Sequence, residues 1–118
     1  MLRLMTRSKI QNATITTKQL YYEGSIGIDG QIMAAANLLP DEMVLVVNIN
    51  NGQRLETYVI EEPQGSGEIV LYGPAARTAE IGDVVHIICY CSMTEEEARA
   101  NQMKVVVLGT DNKIQEQR

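Results

Sequence analysis

The stretch MVLVVNINNGQRLETYVI, Met43 to Ile60, decides the fold. Two runs rich in Val, Ile, Leu, Thr and Tyr favour extended backbone, and they flank Asn50-Asn51-Gly52. Asn51-Gly52 supplies the positive φ angles of a tight turn, so Met43–Ile49 and Arg54–Ile60 read as a β-hairpin. Further strands follow outward from it: Leu2 to Ile10, Ala13 to Thr17, Ser25 to Asp29, Glu68 to Tyr72, Val84 to Tyr90 and Met103 to Leu108. Gly73-Pro74 breaks the fourth of these, and Glu61 to Gly67 reads as a loop. Asp29 is placed to cap a helix from Gln31 to Leu39, closed by Pro40. Its Ile32, Ala35, Ala36 and Leu39 fall at the spacing of one apolar face. Thr94 with Glu97 three residues on is a capping box opening a short helix to Asn101. The polar tail Lys113 to Arg118 is expected to fray. Short strands with two short helices imply a mainly β chain, a small closed β-barrel.

With 118 residues there is one domain. There is no Trp or Phe and only five Tyr, so the core is built from Val, Ile, Leu and Met. The net charge of −5 argues against nucleic acid as partner, yet leaves room for a small anion held by one or two cations. The opening MLRLMTRSKI has Arg3, Arg7 and Lys9 among its apolar residues, which suits neither a signal peptide nor a membrane span. A cytoplasmic location is expected. Cys89 and Cys91, two apart on one strand, share a face and read as buried thiols rather than a disulfide or zinc pair. His86 is the only histidine, so a histidine-rich metal site is excluded and no metal is expected. In VVHIIC it reads as packed or edge-facing.

Gly24-Ser25, inside YYEGSIGID (Tyr21 to Asp29), permits a sharper reading than a turn. A serine hydroxyl held against the carbonyl of the preceding residue can attack it, turning the peptide into an ester. Glycine before it leaves that approach open and tolerates unusual backbone angles. The oxyanion formed needs a donor, either a hydroxyl or a backbone N–H. Elimination from the ester leaves a dehydroalanine, which hydrolyses to a pyruvoyl group.

The neighbourhood gives this reading its weight. Ser8-Lys9-Ile10 precedes Ala13-Thr14-Ile15-Thr16, and Tyr22-Glu23-Gly24-Ser25 is followed by Asp29. Then come the hairpin motif from Asn50 to Tyr58, Tyr72-Gly73-Pro74-Ala75-Ala76-Arg77, Ile81 to Val85 and Glu95 to Ala98. In order and spacing, over nearly the whole chain, these resemble the pyruvoyl-dependent aspartate decarboxylase family. The resemblance implies a six-stranded double-psi β-barrel and a homotetramer with active sites at subunit interfaces. It implies cleavage between Gly24 and Ser25 into a β chain of residues 1–24 and an α chain of residues 25–118. The cofactor would be a pyruvoyl group derived from Ser25, with no pyridoxal phosphate. The substrate would be L-aspartate, converted to β-alanine and carbon dioxide for pantothenate synthesis; some members need a maturation partner.

Site residues follow from the same resemblance. Arg54 would grip one substrate carboxylate bidentately and Lys9 complement the other. Tyr58, on the Arg54 face of its strand, would return a proton to the carbanion. Thr57 would stabilise the cleavage intermediate and help bind substrate. Gly73, Pro74 and Ala75 would bring backbone close to the substrate, and Tyr22 and Tyr72 would line the pocket. The chain departs from the family at Gln11 and Asn12, where histidine and arginine are common, and at Tyr72, where an asparagine is usual. The Tyr72 phenol either reaches the asparagine's region with its hydroxyl or occludes the pocket. Two other readings stay open here: an unprocessed barrel serving as a binding or regulatory subunit, and a decarboxylase of another small acidic amino acid.

Overall fold

Nine strands and two short helices carry the chain in a computed structural model that describes all of residues 1–118. The strands are β1 (Leu2–Thr14), β2 (Thr17–Gln19), β3 (Ser25–Asp29), β4 (Met43–Asn48), β5 (Arg54–Glu62), β6 (Ile69–Tyr72), β7 (Val84–Thr94), β8 (Lys104–Leu108) and β9 (Ile114–Gln117). The helices are α1 (Gly30–Ala35) and α2 (Glu95–Ala100), and Gly73–Arg77 forms a 3-10 turn. The strands join in the order β2-β6-β3-β5-β4-β7-β1-β8-β9. Three pairs are parallel (β1–β8, β3–β5, β2–β6) and the other five antiparallel. The chain is mainly β, as its sequence implies, and its strands join in one continuous nine-stranded sheet consistent with a small β-barrel. Nine strands are present where the resemblance implied six; the additions include short pieces such as β2 and β9.

Alternation builds the core. Val44 and Val46 of β4 are buried while Leu45 and Val47, at the alternate positions, face outward half-buried, as the period of two requires. Ile10, Ile26, Val59, Leu71 and Ile87 meet them from neighbouring strands in one cluster of 22 residues. No tyrosine belongs to it. The core is aliphatic, as expected from the composition.

Four local expectations need correction. The first helix ends at Ala35, because Asn37 takes a left-handed φ of 56° and the Leu38 N–H turns back to the Met33 carbonyl at 2.9 Å. Leu39 therefore leaves the apolar face and is 68% exposed. In the hairpin only Gly52 has positive φ. The turn is wider, organised by Asn48 Oδ1, which accepts from the Asn50 and Asn51 N–H groups. The tail does not fray: β9 pairs with the otherwise open edge of β8, and Arg118 exchanges backbone bonds with Val105. Of the two cysteines only Cys89 is fully buried, since β7 beyond Tyr90 outruns the core.

Asp29 ties the site's flank together. It caps α1 through the Gln31 N–H (2.8 Å) and accepts from the Gly65 and Gly67 N–H groups (3.0 and 2.9 Å). A buried acceptor bonded three times over fixes both the end of β3 and the 63–68 loop.

Arg7, Glu42 and Cys89 form a second tie under the α1 exit. Arg7 donates to the Glu42 carboxylate, to Cys89 Sγ (3.1 Å) and to the Asn37 carbonyl (2.8 Å). Burial pushes the Glu42 carboxyl up, but the Leu39 N–H, the Cys89 thiol and the Arg7 guanidinium outweigh it and hold the pKa below its usual value. A depressed carboxyl stabilises the fold fully at neutral pH and loses that contribution as pH falls from about 4.5 through the folded value. Glu42→Gln should thus lower Tm at pH 7, with the gap to the parent closing on acidification. A gap that stays constant from pH 7 to pH 3 would remove Glu42 from the acid response.

Candidate active site

The site arises where β5 changes neighbours. From Arg54 to Tyr58 it pairs with β4, Arg54 against Val47 and Tyr58 against Met43. Its other edge is taken by β3 only from Val59, which pairs with Ile26. Ser25 and Tyr58 thus stand where the β3–β5 pairing opens. The Gly73–Arg77 turn folds over this gap, leaving a cleft of about 390 Å³. Gly24, Thr57, Tyr58, Pro74 and Ala75 line it together with Glu56. Five residues singled out in the sequence for processing, catalysis or binding thus converge from three separate segments.

Backbone crowding defines the floor. Gly73 sits at φ +67°, and a Cβ there would lie 2.6 Å from the Tyr22 carbonyl oxygen and 2.9 Å from the Gly24 nitrogen. Only glycine satisfies both the angle and the approach. A Cβ at Gly24 would meet Pro74 Cδ at an ordinary 3.5 Å, so the fold does not demand glycine there; an unshielded carbonyl is what glycine adds. Ser25 is fully buried, and its Oγ lies 3.4 Å from the Glu23 carbonyl oxygen, turned back over the preceding backbone.

Tyr22 and Tyr72 stand beside the Gly24 segment rather than in the cleft wall. Their rings are 4.7 Å apart, tilted by 42°. The Tyr72 hydroxyl donates to Glu62 Oε2 at 2.9 Å. Burial, then Glu62, pushes the phenol pKa up to about 12. Glu62 was not visible as a site residue in the sequence, because nothing local links it to Tyr72.

Lys9 and Arg54 are not brought to Ser25 within one chain. In the order β3-β5-β4-β7-β1, Lys9 is four strand spacings from Ser25, roughly 19 Å around the sheet. Both cations lie on the outer face of the β5-β4-β7-β1 region, and neither forms a salt bridge. Arg54 shares that face with Tyr58, about 13 Å away along the strand. Across the strands Arg54, Val47 and His86 form one row. Burial and then the Lys9 charge lower the His86 pKa, and its Nδ1 accepts from the Asn12 N–H at 3.3 Å. The departure at Asn12 and the lone histidine are thus in contact. The same face exposes Leu4 (71%) and Met43 (65%).

The fold and cleft together describe a small, mainly β protein with a hydroxyl-lined cleft beside a buried serine. The family model for aspartate decarboxylase matches residues 1–115. An aspartate 1-decarboxylase from Caldicellulosiruptor saccharolyticus is 50% identical over 114 residues, covering 97% of this chain and 89% of that protein. The one from Dehalococcoides mccartyi is 54% identical over 110 residues, covering 93% and 89%. The one from Staphylococcus aureus strain JH9 is 48% identical over 114 residues, covering 97% and 90%. This chain belongs to the aspartate decarboxylase family.

Proposed function

We propose that this protein is a self-processing, pyruvoyl-dependent decarboxylase that converts L-aspartate to β-alanine and carbon dioxide in pantothenate synthesis, in the cytoplasm. The observation that carries the reading is the convergence of Gly24, Thr57 and Tyr58 on one cleft beside the buried Ser25, in a chain whose half-identical relatives are aspartate 1-decarboxylases. No helix is long and apolar enough to cross a membrane.

Ser25 Oγ attacks the Gly24 carbonyl carbon, and the Ser25 nitrogen becomes the free amine as the ester forms. Thr57, which lines the same cleft as Gly24, would steady the oxyanion through its hydroxyl. Loss of the Ser25 Cα proton expels the Gly24 carboxylate, and water then replaces the nitrogen, releasing ammonia. The products are chains of residues 1–24 and 25–118. The residues fit a carbonyl group at this point: Ser25 is shielded from solvent, and the Gly73 approach leaves no side chain in the way. When formed, that group supplies an electron sink for decarboxylation of a bound amine. Tyr58, at the open end of the pairing, is the proton donor to the carbon that loses its carboxylate. Pro74 and Ala75 shape the substrate side of the cleft.

Lys9 and Arg54 join this site from a second subunit. They face outward, unpaired, amid exposed Leu4 and Met43 and half-buried Leu45, Val47 and Ile88. Such a face suits burial against another copy. In a homotetramer these cations would meet the two carboxylates of an aspartate lying in the neighbour's cleft. Turnover of L-aspartate against L-glutamate tests the substrate: aspartate should be preferred about tenfold or more, the discrimination available from one methylene. Faster glutamate turnover would replace the assignment with another acidic amino acid.

A further inference from the structure

Glycine in mid-strand marks a close approach, and Gly27 is one. A Cβ there would stand 2.2 Å from Glu62 Oε2 and 2.8 Å from its Cδ, so the Glu62 side chain lies directly over the Gly27 backbone. Tyr72 is the cross-strand partner of Ser25, and Val70 that of Gly27. Ser25, Gly27 and Tyr72 therefore project from the same face of the β3–β6 pair. From its place opposite Ser25, the Tyr72 ring leans along the strand until its hydroxyl meets the carboxylate over Gly27, at 2.9 Å. Glu62 is half-buried, forms no salt bridge, and has this phenol as its one side-chain hydrogen-bond partner. Its geometry makes sense as a hold on Tyr72.

We infer that Gly27 and Glu62 form a dock that parks the Tyr72 ring away from the Gly24-Ser25 peptide, making Glu62 a positioning residue for self-cleavage. The inference rests on the processing reading above. Released from Glu62, the ring keeps only its contact with the Tyr22 ring, 4.7 Å away, and turns toward Ser25, its direct cross-strand neighbour, where it crowds the hydroxyl's path to the Gly24 carbonyl. A hydrogen bond to a carboxylate biases a side chain toward one position by about ten- to a hundredfold. The dock answers the choice left open by the sequence: the phenol neither replaces the usual asparagine nor plugs the site while it is held.

The test is the rate at which freshly translated precursor splits, followed by intact mass. Glu62→Ala and Tyr72→Phe should each slow cleavage about tenfold, whereas Glu62→Gln, which keeps an acceptor, should stay near the parent rate. Tyr72→Asn should cleave at least as fast as the parent. The deciding variant is Glu62→Ala combined with Tyr72→Asn. With no ring to park, it should regain the parent rate, which a merely structural role for Glu62 does not allow. A double variant as slow as Glu62→Ala alone, or a Glu62→Ala precursor that splits at the parent rate, would overturn the dock while leaving self-cleavage intact. A parent chain that never splits would overturn the processing reading and the dock with it.

Discussion

Ser25→Ala should leave one uncut chain of 13.1 kDa with no measurable decarboxylation. The substitution removes the hydroxyl proposed to open the Gly24 carbonyl, and with it the proposed source of the carbonyl group the reaction needs. Little else changes. Alanine keeps the Cβ in a fully buried position, and the one bond lost is the long 3.4 Å contact to the Glu23 carbonyl. The stability cost should stay within about 1 kcal/mol, so the thermal transition remains cooperative and near the parent's. This separates chemical loss from unfolding. Cleavage between residues 24 and 25 in the variant, or β-alanine formation by the uncut chain, would assign the chemistry to another group.

Arg54→Ala should lower kcat/KM for L-aspartate by about a hundred- to a thousandfold, the cost of removing one side of a desolvated, bidentate ion pair. Processing should be unaffected, because Arg54 is absent from the cleft where Gly24 and Thr57 meet. Folding should also survive: Arg54 is exposed and makes no salt bridge that would be broken. The pattern of two chains, an unchanged assembly and lost turnover is specific to a substrate-binding cation. Full activity would remove Arg54 from the site. Loss of the assembly together with activity would give it a role in the subunit contact instead.

What the sequence displayed was local chemistry. The Thr94–Glu97 capping box, the Asp29 cap and the span Ser25–Asp29 appear in the structure as read, because each depends on residues a few positions apart. Pairing between distant segments was not legible. Asp29 also bonds the N–H groups of Gly65 and Gly67, 36 and 38 residues away, and no spacing signals that. Gly27 looked like an ordinary strand residue until Glu62 lay over it. Lys9 and Ser25, joined by the resemblance, stand far apart in one chain because β7, β4 and β5 separate them in the sheet. Leu39 fitted a helical face by count, yet one left-handed Asn37 turned it into solvent. The candidate cleft was easier to anticipate than the helix boundary, since most of its residues fall in three short motifs, at Gly24-Ser25, Thr57-Tyr58 and Pro74-Ala75.

The intact mass of the denatured parent protein bears most directly on the whole scheme. Two species should appear: residues 1–24 ending in a free carboxylate, and residues 25–118 lighter by one ammonia than a chain starting with serine. A single species that stays whole after prolonged warming, alone and with cell extract added, would contradict self-processing at Gly24-Ser25.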